Sequence, residues 1–159
     1  MAKHGLMPAM IEGVARHPLR QFIDDRGRTM HMLRNDDPHF RGFGEVYFSG
    51  LHHGKVKGWY RHREKTLNYA VPTGMIRVVI YDDRAGSPTQ GKLEEYLLGE
   101  EPEHYALLTI PPHLWYGIQG LAPGTSIIAN CSDLPNDPAE SDRKPPDSPD
   151  VPYAWPAIG

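Results

Sequence analysis

A single cysteine, Cys131, stands in the 159 residues. One thiol excludes an intrachain disulfide framework and any multi-cysteine zinc knot, and it fits a reducing compartment. Long apolar runs are missing: none approaches the roughly 20 residues that a helix needs to span a bilayer. Met1 to Met10 carries Lys3 and His4 with no long apolar stretch behind them. That pattern is not a secretory signal, so the expected location is cytoplasmic, with no membrane partner. A basic surplus is missing as well. The 17 Lys and Arg face 20 Asp and Glu, a formal net charge of -3, and bulk electrostatics gives no basis for binding nucleic acid. Nor does any segment hold a helical apolar repeat over three turns.

What is present points to one globular β domain. Hydrophobic residues make up 39% and charged residues 23%, which is too apolar for full disorder. Glycine and proline, 16 each, punctuate the chain often enough to favour short strands. Met75 to Tyr81 is a β-branched run between Gly74 and Asp82-Asp83 and reads as a buried strand. Tyr105 to Ile110, stopped by Pro111-Pro112, and Thr125 to Cys131 are two more. Weaker candidates are Arg28 to Leu33 (after the Asp24-Asp25-Arg26-Gly27 turn), Phe43 to Ser49, Lys55 to Arg61, Leu67 to Val71 and Leu93 to Leu98. Turns every 8 to 12 residues or so mark a sandwich or barrel. Residues 133–159 hold seven of the sixteen prolines and cannot form a central strand. The expected organisation is therefore a barrel with N-terminal strands over 1–132. A Pro/Asp-rich tail over 133–159 lies extended on it, pinned by Tyr153 and Trp155.

Two clusters carry candidate chemistry. Gly54 to Lys65 packs five basic side chains, two aromatic rings and His62 into twelve residues. A regular strand places Lys57, Trp59, Arg61 and Arg63 on one face, and Val56, Gly58, Tyr60 and His62 on the other. Aimed into a barrel mouth, Tyr60 and His62 would serve proton transfer or carbonyl polarisation. The plainer reading is an exposed edge strand whose charges resist aggregation. In the second cluster, Pro111 to Ile118, two prolines set a turn and the chain re-enters a strand. Trp115 and Tyr116 then point to opposite faces, so that one is core and the other can line a cavity.

The spacing of Gly54, Tyr60, His62 and Gly74, then of Pro111, His113 and Tyr116, resembles the two cupin motifs. Metal-binding cupins use histidines and a glutamate at positions that are Tyr60, His62, Leu67 and Tyr116 here. One imidazole does not make a metal site, so no catalytic metal or other cofactor is expected. From about Gly13 to Trp155 the chain resembles the dTDP-4-dehydrorhamnose 3,5-epimerase family. The match is carried by Asp24-Asp25-Arg26-Gly27, Gly54 to Tyr60, Tyr81 to Gly91, Ile110 to Ile118 and Val151 to Trp155. The resemblance implies an all-β fold, a cupin jelly-roll antiparallel β-barrel, and a homodimer. It also implies a nucleoside-diphosphate sugar as ligand, and a histidine base held by an aspartate, with a tyrosine acid opposite and a lysine near the enolate.

The catalytic set is substituted. The family's base histidine aligns with Tyr60 and its later histidine with Tyr116. The tyrosine acid falls near Ala129 or Asn130, the lysine near Leu67, and the aspartate near Ser148 or Asp147. Tyr60, His62 and Tyr116 are the candidate catalytic residues. His62 alone among them has a near-neutral intrinsic pKa. Arg26 and Lys57 are candidates for phosphate. Glu45, Trp59, Arg61, Asn68, Trp115 and Asn130 complete the candidate substrate contacts, with Trp59 or Trp115 stacking on a ring. The leading reading is a nucleotide-sugar (dTDP-4-keto-6-deoxyhexose type) epimerase or isomerase. The alternatives are a non-catalytic sugar-nucleotide or small-molecule binding cupin, and a 3,4-ketoisomerase relative.

Overall fold

A computed structural model describes residues 10–159. The segment read above as lacking a secretory signal lies outside the described residues except for Met10. No α-helix occurs among the described residues. The strands are β1 (Ala15–Pro18), β2 (Gln21–Asp24), β3 (Gly27–Met30), β4 (Glu45–His52), β5 (Val56–His62) and β6 (Leu67–Thr73). They continue with β7 (Met75–Tyr81), β8 (Leu93–Gly99), β9 (Ala106–Ile110), β10 (Trp115–Gly120), β11 (Thr125–Ser132) and β12 (Ser141–Arg143). One five-stranded sheet runs β1-β9-β6-β11-β4, a second runs β12-β5-β10-β7-β8, and β2-β3 is a separate hairpin. The paired strands are antiparallel. Leu93–Gly99, a weaker candidate by sequence, is a strand, and β1 and β2 are strands too short to show an alternation in the sequence.

Strand alternation builds the core between the sheets. Leu67, Tyr69 and Val71 of β6 face Ile76, Val78 and Ile80 of β7, with Leu51, Leu98, Leu108, Ile110, Ile118 and Ile128 around them. The unbroken apolar run of β7 has a second cause. Its outward Val79 is also covered, by Trp59, Trp115 and Val151, so both faces of the strand are dry. The outer face of the first sheet is covered near Ala70, Tyr105 and Leu107 by Leu19, Met30, Met32 and Leu33.

Residues beyond β11 are zipped to β5. The β12 register sets Ser141 against His62, Asp142 against Arg61 and Arg143 against Tyr60. Trp59 and Lys144 exchange backbone hydrogen bonds at 2.6 and 2.9 Å. Farther on, Trp155 lies 5.1 Å from the Trp59 ring and crosses Gly117, where a Cβ would come 2.7 Å from the Trp155 ring. The stretch Tyr81 to Gly91 is a turn organised by Asp82, which accepts from the Arg84 backbone and guanidinium, Ser87 Oγ and Thr89 Oγ1.

Candidate functional site

The site is set by one irregularity in β5. Tyr60 pairs with Tyr116 and Gly58 with Gly117, so two steps along β5 match one step along β10. Trp59 is the extra residue of a bulge. The bulge lets the backbones approach closely, because a Cβ on Gly58 would come 2.9 Å from Gly117 Cα. It also breaks the alternation assumed from sequence. Lys57 lines the same hollow as Tyr60 and His62, whereas regular alternation put it on the face of Trp59 and Arg61. A one-residue insertion changes side-chain parity, and nothing in the local sequence announces it.

That hollow, about 200 Å³, opens between the sheets and is lined by Tyr47, Ser49, Lys57, Tyr60, His62, Tyr69, Tyr116, Ile118, Asn136, Ser141 and Arg143. It is smaller than the ~300–1,000 Å³ that encloses a drug-sized ligand, so it suits a single ring rather than a whole nucleotide sugar. No carboxylate lines it. Lys57 Nζ donates to the Gly50 carbonyl at 3.0 Å, and the Arg143 guanidinium lies 5.4 Å over the Tyr60 ring. The hollow therefore carries positive charge. A larger hollow of about 330 Å³ lies by Met10, Arg16, Glu94 to Leu97 and His104, but none of its lining side chains is hydrogen-bonded to another.

His62 joins two partners. Its Nδ1 is 2.8 Å from Glu140 Oε1 and its Nε2 is 3.0 Å from the Tyr116 hydroxyl. An ionised carboxylate can only accept, so Nδ1 carries the proton in the neutral ring. Nε2 then accepts from Tyr116. Glu140 Oε2 meanwhile accepts the backbone N–H groups of Glu64 and Lys65 at 2.8 and 2.9 Å. Burial alone pushes the Glu140 carboxyl up, but these two N–H donors and His62 outweigh it and hold its pKa below the ordinary value. Burial, and then the neighbouring Tyr69 phenol, raise Tyr116 well above the usual phenol pKa. Tyr116 is therefore a neutral donor and not a base. Tyr69 is raised likewise, by burial first and by Tyr47 next. The line Glu140–His62–Tyr116 sets an imidazole between a fixed anion and a fixed phenol.

The other sequence candidates divide. Glu45 shares an alternation face of β4 with Tyr47 and Ser49 but does not line the hollow. Trp59, at 0% exposure, and Trp115 belong to the cluster under the tail. They face away from the hollow and are not rings for a sugar to stack on there. Arg61 lies with them, 4.5 Å over Trp115 and bonded to Asp142. Asn68 faces away from the core and is saturated by Thr109 and Cys131. Asn130 is buried behind the wall, where Oδ1 accepts the Asn68 N–H and Nδ2 donates to Tyr47 Oη at 3.0 Å. Arg26 caps the exposed β2-β3 hairpin and pairs with Asp24 two residues away, outside this hollow. Leu67 is core, and the cations that line the hollow are Lys57 and Arg143.

The carboxylate partner of the histidine is likewise relocated. Asp147 is exposed, and Ser148 Oγ accepts from Asp150 within the tail; Glu140 takes the role. Glu140 ends a short 3-10 turn (Pro138–Glu140) whose N-cap Asp137 accepts from Ala139. Local sequence could reveal that turn but not its docking, 78 residues from His62. Tyr47 and Tyr69 were legible only as inward positions of strands. Among the described residues no cluster of three or more His, Cys, Asp or Glu could hold a metal ion, and no helix is long and apolar enough to cross a membrane.

No family model matches the chain. It is 34% identical over 122 residues to the probable low-salt glycan biosynthesis epimerase Agl13 of Haloferax volcanii, covering 76% of this chain and 77% of that one. It is 30% identical over 148 residues to the spore coat polysaccharide biosynthesis protein SpsL of Bacillus subtilis, covering 92% and 97%. Among solved structures, a dTDP sugar isomerase from Desulfovibrio desulfuricans superposes with a TM-score of 0.88 at 45% identity, covering 91% and 92%. A dTDP-4-dehydrorhamnose 3,5-epimerase from Bacillus anthracis superposes at 0.79 and 21% identity, covering 92% and 87%. At that identity it speaks for the cupin jelly-roll fold alone.

Proposed function

Because the chain belongs to the family of sugar epimerases and isomerases built on the dTDP-4-dehydrorhamnose 3,5-epimerase cupin fold, we propose that it moves a proton at a carbon next to the keto group of a dTDP-linked 4-keto-6-deoxy sugar. The observation that carries this reading is the Glu140–His62–Tyr116 line at the wall of the hollow. His62 stands two residues beyond the position where the family's base aligns, yet faces the same cavity as Tyr60.

The chemistry follows from the partners. Glu140 keeps the Nδ1 proton in place and stabilises the imidazolium once Nε2 takes the sugar's α-proton. The electron pair goes to the keto oxygen. Tyr116 turns its hydroxyl from Nε2 to that oxygen, which frees the nitrogen's lone pair and meets the developing charge. Lys57 and Arg143 add positive potential for the enolate and the nearer phosphate. A second copy of the chain, making a homodimer, is the proposed cover for the outer face of edge strand β4, where Val46 is 51% and Phe48 70% exposed. The cytoplasm is the proposed location.

The test is solvent deuterium exchange with dTDP-4-keto-6-deoxyglucose. Wild-type protein is expected to wash deuterium into a carbon beside the keto group, His62→Gln to stop it, and Tyr60→Phe to retain it. Measurable binding with no exchange at stoichiometric protein would instead make the chain a sugar-nucleotide binding module.

A further inference from the structure

From the two walls of the hollow we infer that Tyr47 is the general acid that protonates the sugar carbon on the face opposite His62, which makes the reaction an epimerisation. This rests on the proton-transfer reading above and extends it to stereochemistry. His62 reaches the hollow from β5, in the second sheet, while Tyr47 reaches it from β4, in the first. A sugar ring between them is flanked by an imidazole on one side and a phenol on the other.

The direction of the Tyr47 proton is set by its neighbour. The backbone N–H of Asn68 can only donate, and Asn130 Oδ1 accepts it at 3.1 Å. That contact fixes the amide orientation, so the group 3.0 Å from Tyr47 Oη is the Asn130 NH2. Two donors cannot share one hydrogen bond. Tyr47 Oη therefore accepts, and its own proton has no acceptor among the described residues. With Tyr47 37% exposed and lining the hollow, that proton is available to a ligand. The other three phenols are placed differently. Tyr60 shares the strand of His62 and so its wall. Tyr116 is bonded to His62 Nε2 at rest and gives its hydroxyl to the keto oxygen in the step above. Tyr69 is buried with its ring edge-on to Tyr116, centroids 6.0 Å apart.

Asn130 and Tyr47 sit on adjacent strands. Tyr47 is the residue directly across from Asn130 on β4. The asparagine holds the phenol from the neighbouring strand.

In the full step His62 Nε2 removes the α-proton and the C–H pair moves to the keto oxygen. The enolate pair then returns to carbon, forming a bond to the Tyr47 proton. The phenolate is reprotonated from solvent and His62 releases its proton to solvent, so composition is unchanged and one centre inverts.

The experiment compares Tyr47→Phe with wild type in deuterated buffer, reading exchange into recovered substrate and formation of the epimer separately, with melting temperature and dTDP binding as controls on folding. The expected result is exchange near the wild-type rate, because His62 returns deuterium to the face it came from, and epimer formation reduced by ~10²-fold or more. Epimer formation at the wild-type rate overturns the assignment, as does joint loss of exchange and epimer in a folded variant. Difluorotyrosine at position 47 preserves shape, and it should move the alkaline limb of epimer formation to lower pH without moving that of exchange; an unmoved limb also overturns it. Wild-type exchange without any epimer removes Tyr47 as acid but leaves the proton-transfer reading standing. Absence of wild-type exchange removes both.

Discussion

Asp82, buried, and Glu140, half-buried, are both carboxylates held ionised by several donors, and they have opposite consequences. Asp82, 0% exposed, is saturated by Arg84, Ser87 and Thr89, all within seven residues. Glu140 takes its donors from His62, Glu64 and Lys65, more than seventy residues away. Burial pushes each carboxyl up and the donors more than reverse it. Only Glu140 has a partner that reaches a cavity and can itself change protonation. A saturated carboxylate with local donors builds a turn. The same group bound to an imidazole from across the fold sets a tautomer.

Glu140→Gln breaks the comparison most sharply. The amide oxygen can still take the Glu64 and Lys65 N–H groups, but its NH2 then faces His62 Nδ1. That nitrogen becomes an acceptor, the proton moves to Nε2, and the base is lost. Exchange at the sugar carbon should fall ~10³-fold or more while the melting curve changes little; retained exchange would show that His62 does not need its partner. Asp82→Asn should do the reverse. It leaves Arg84 and two hydroxyls facing an amide, costing about 3 kcal/mol in urea unfolding, with exchange per folded molecule unchanged.

Acid should expose both groups together. Each folded pKa lies below its unfolded value, so each adds stability that is complete above the unfolded pKa and is lost as pH falls through the folded one. Unfolding free energy should be flat above roughly pH 5 and decline below about pH 4. Asp82→Asn should reduce the slope, and a stability that grows on acidification would contradict the depressed values. The smallest effect expected is at Gly117→Ala, whose methyl enters the Trp155 ring contact. A loss of roughly 1–3 kcal/mol and altered tryptophan fluorescence would show that the tail docks on that glycine; an unchanged unfolding curve would show that it does not.

Much of the fold is legible along the chain. The apolar runs of β7, β9 and β11 and the Asp82 turn depend on neighbours a few residues away, so composition and spacing reveal them. The inward placing of Tyr60 and His62 follows from strand alternation. Lys57 escapes the same rule because the bulge at Trp59 changes parity, and the bulge exists only because β10 offers Gly117 opposite Gly58. Trp59 and Trp115 are apolar rings beside charged residues, a pattern shared by ligand platforms and tail anchors. Only the position of Trp155 and Val151 distinguishes the two.

By itself the sequence determined an all-β chain of short antiparallel strands and one imidazole on the face of Tyr60, because each follows from residue identity and local period; the cupin type came from its resemblance to a family. Tertiary structure alone decided which carboxylate holds that imidazole, which phenols share its hollow, and which cations line it. Those choices depend on pairings between strands and a tail far apart in the chain, where a shift of one residue reverses the side on which a group is presented.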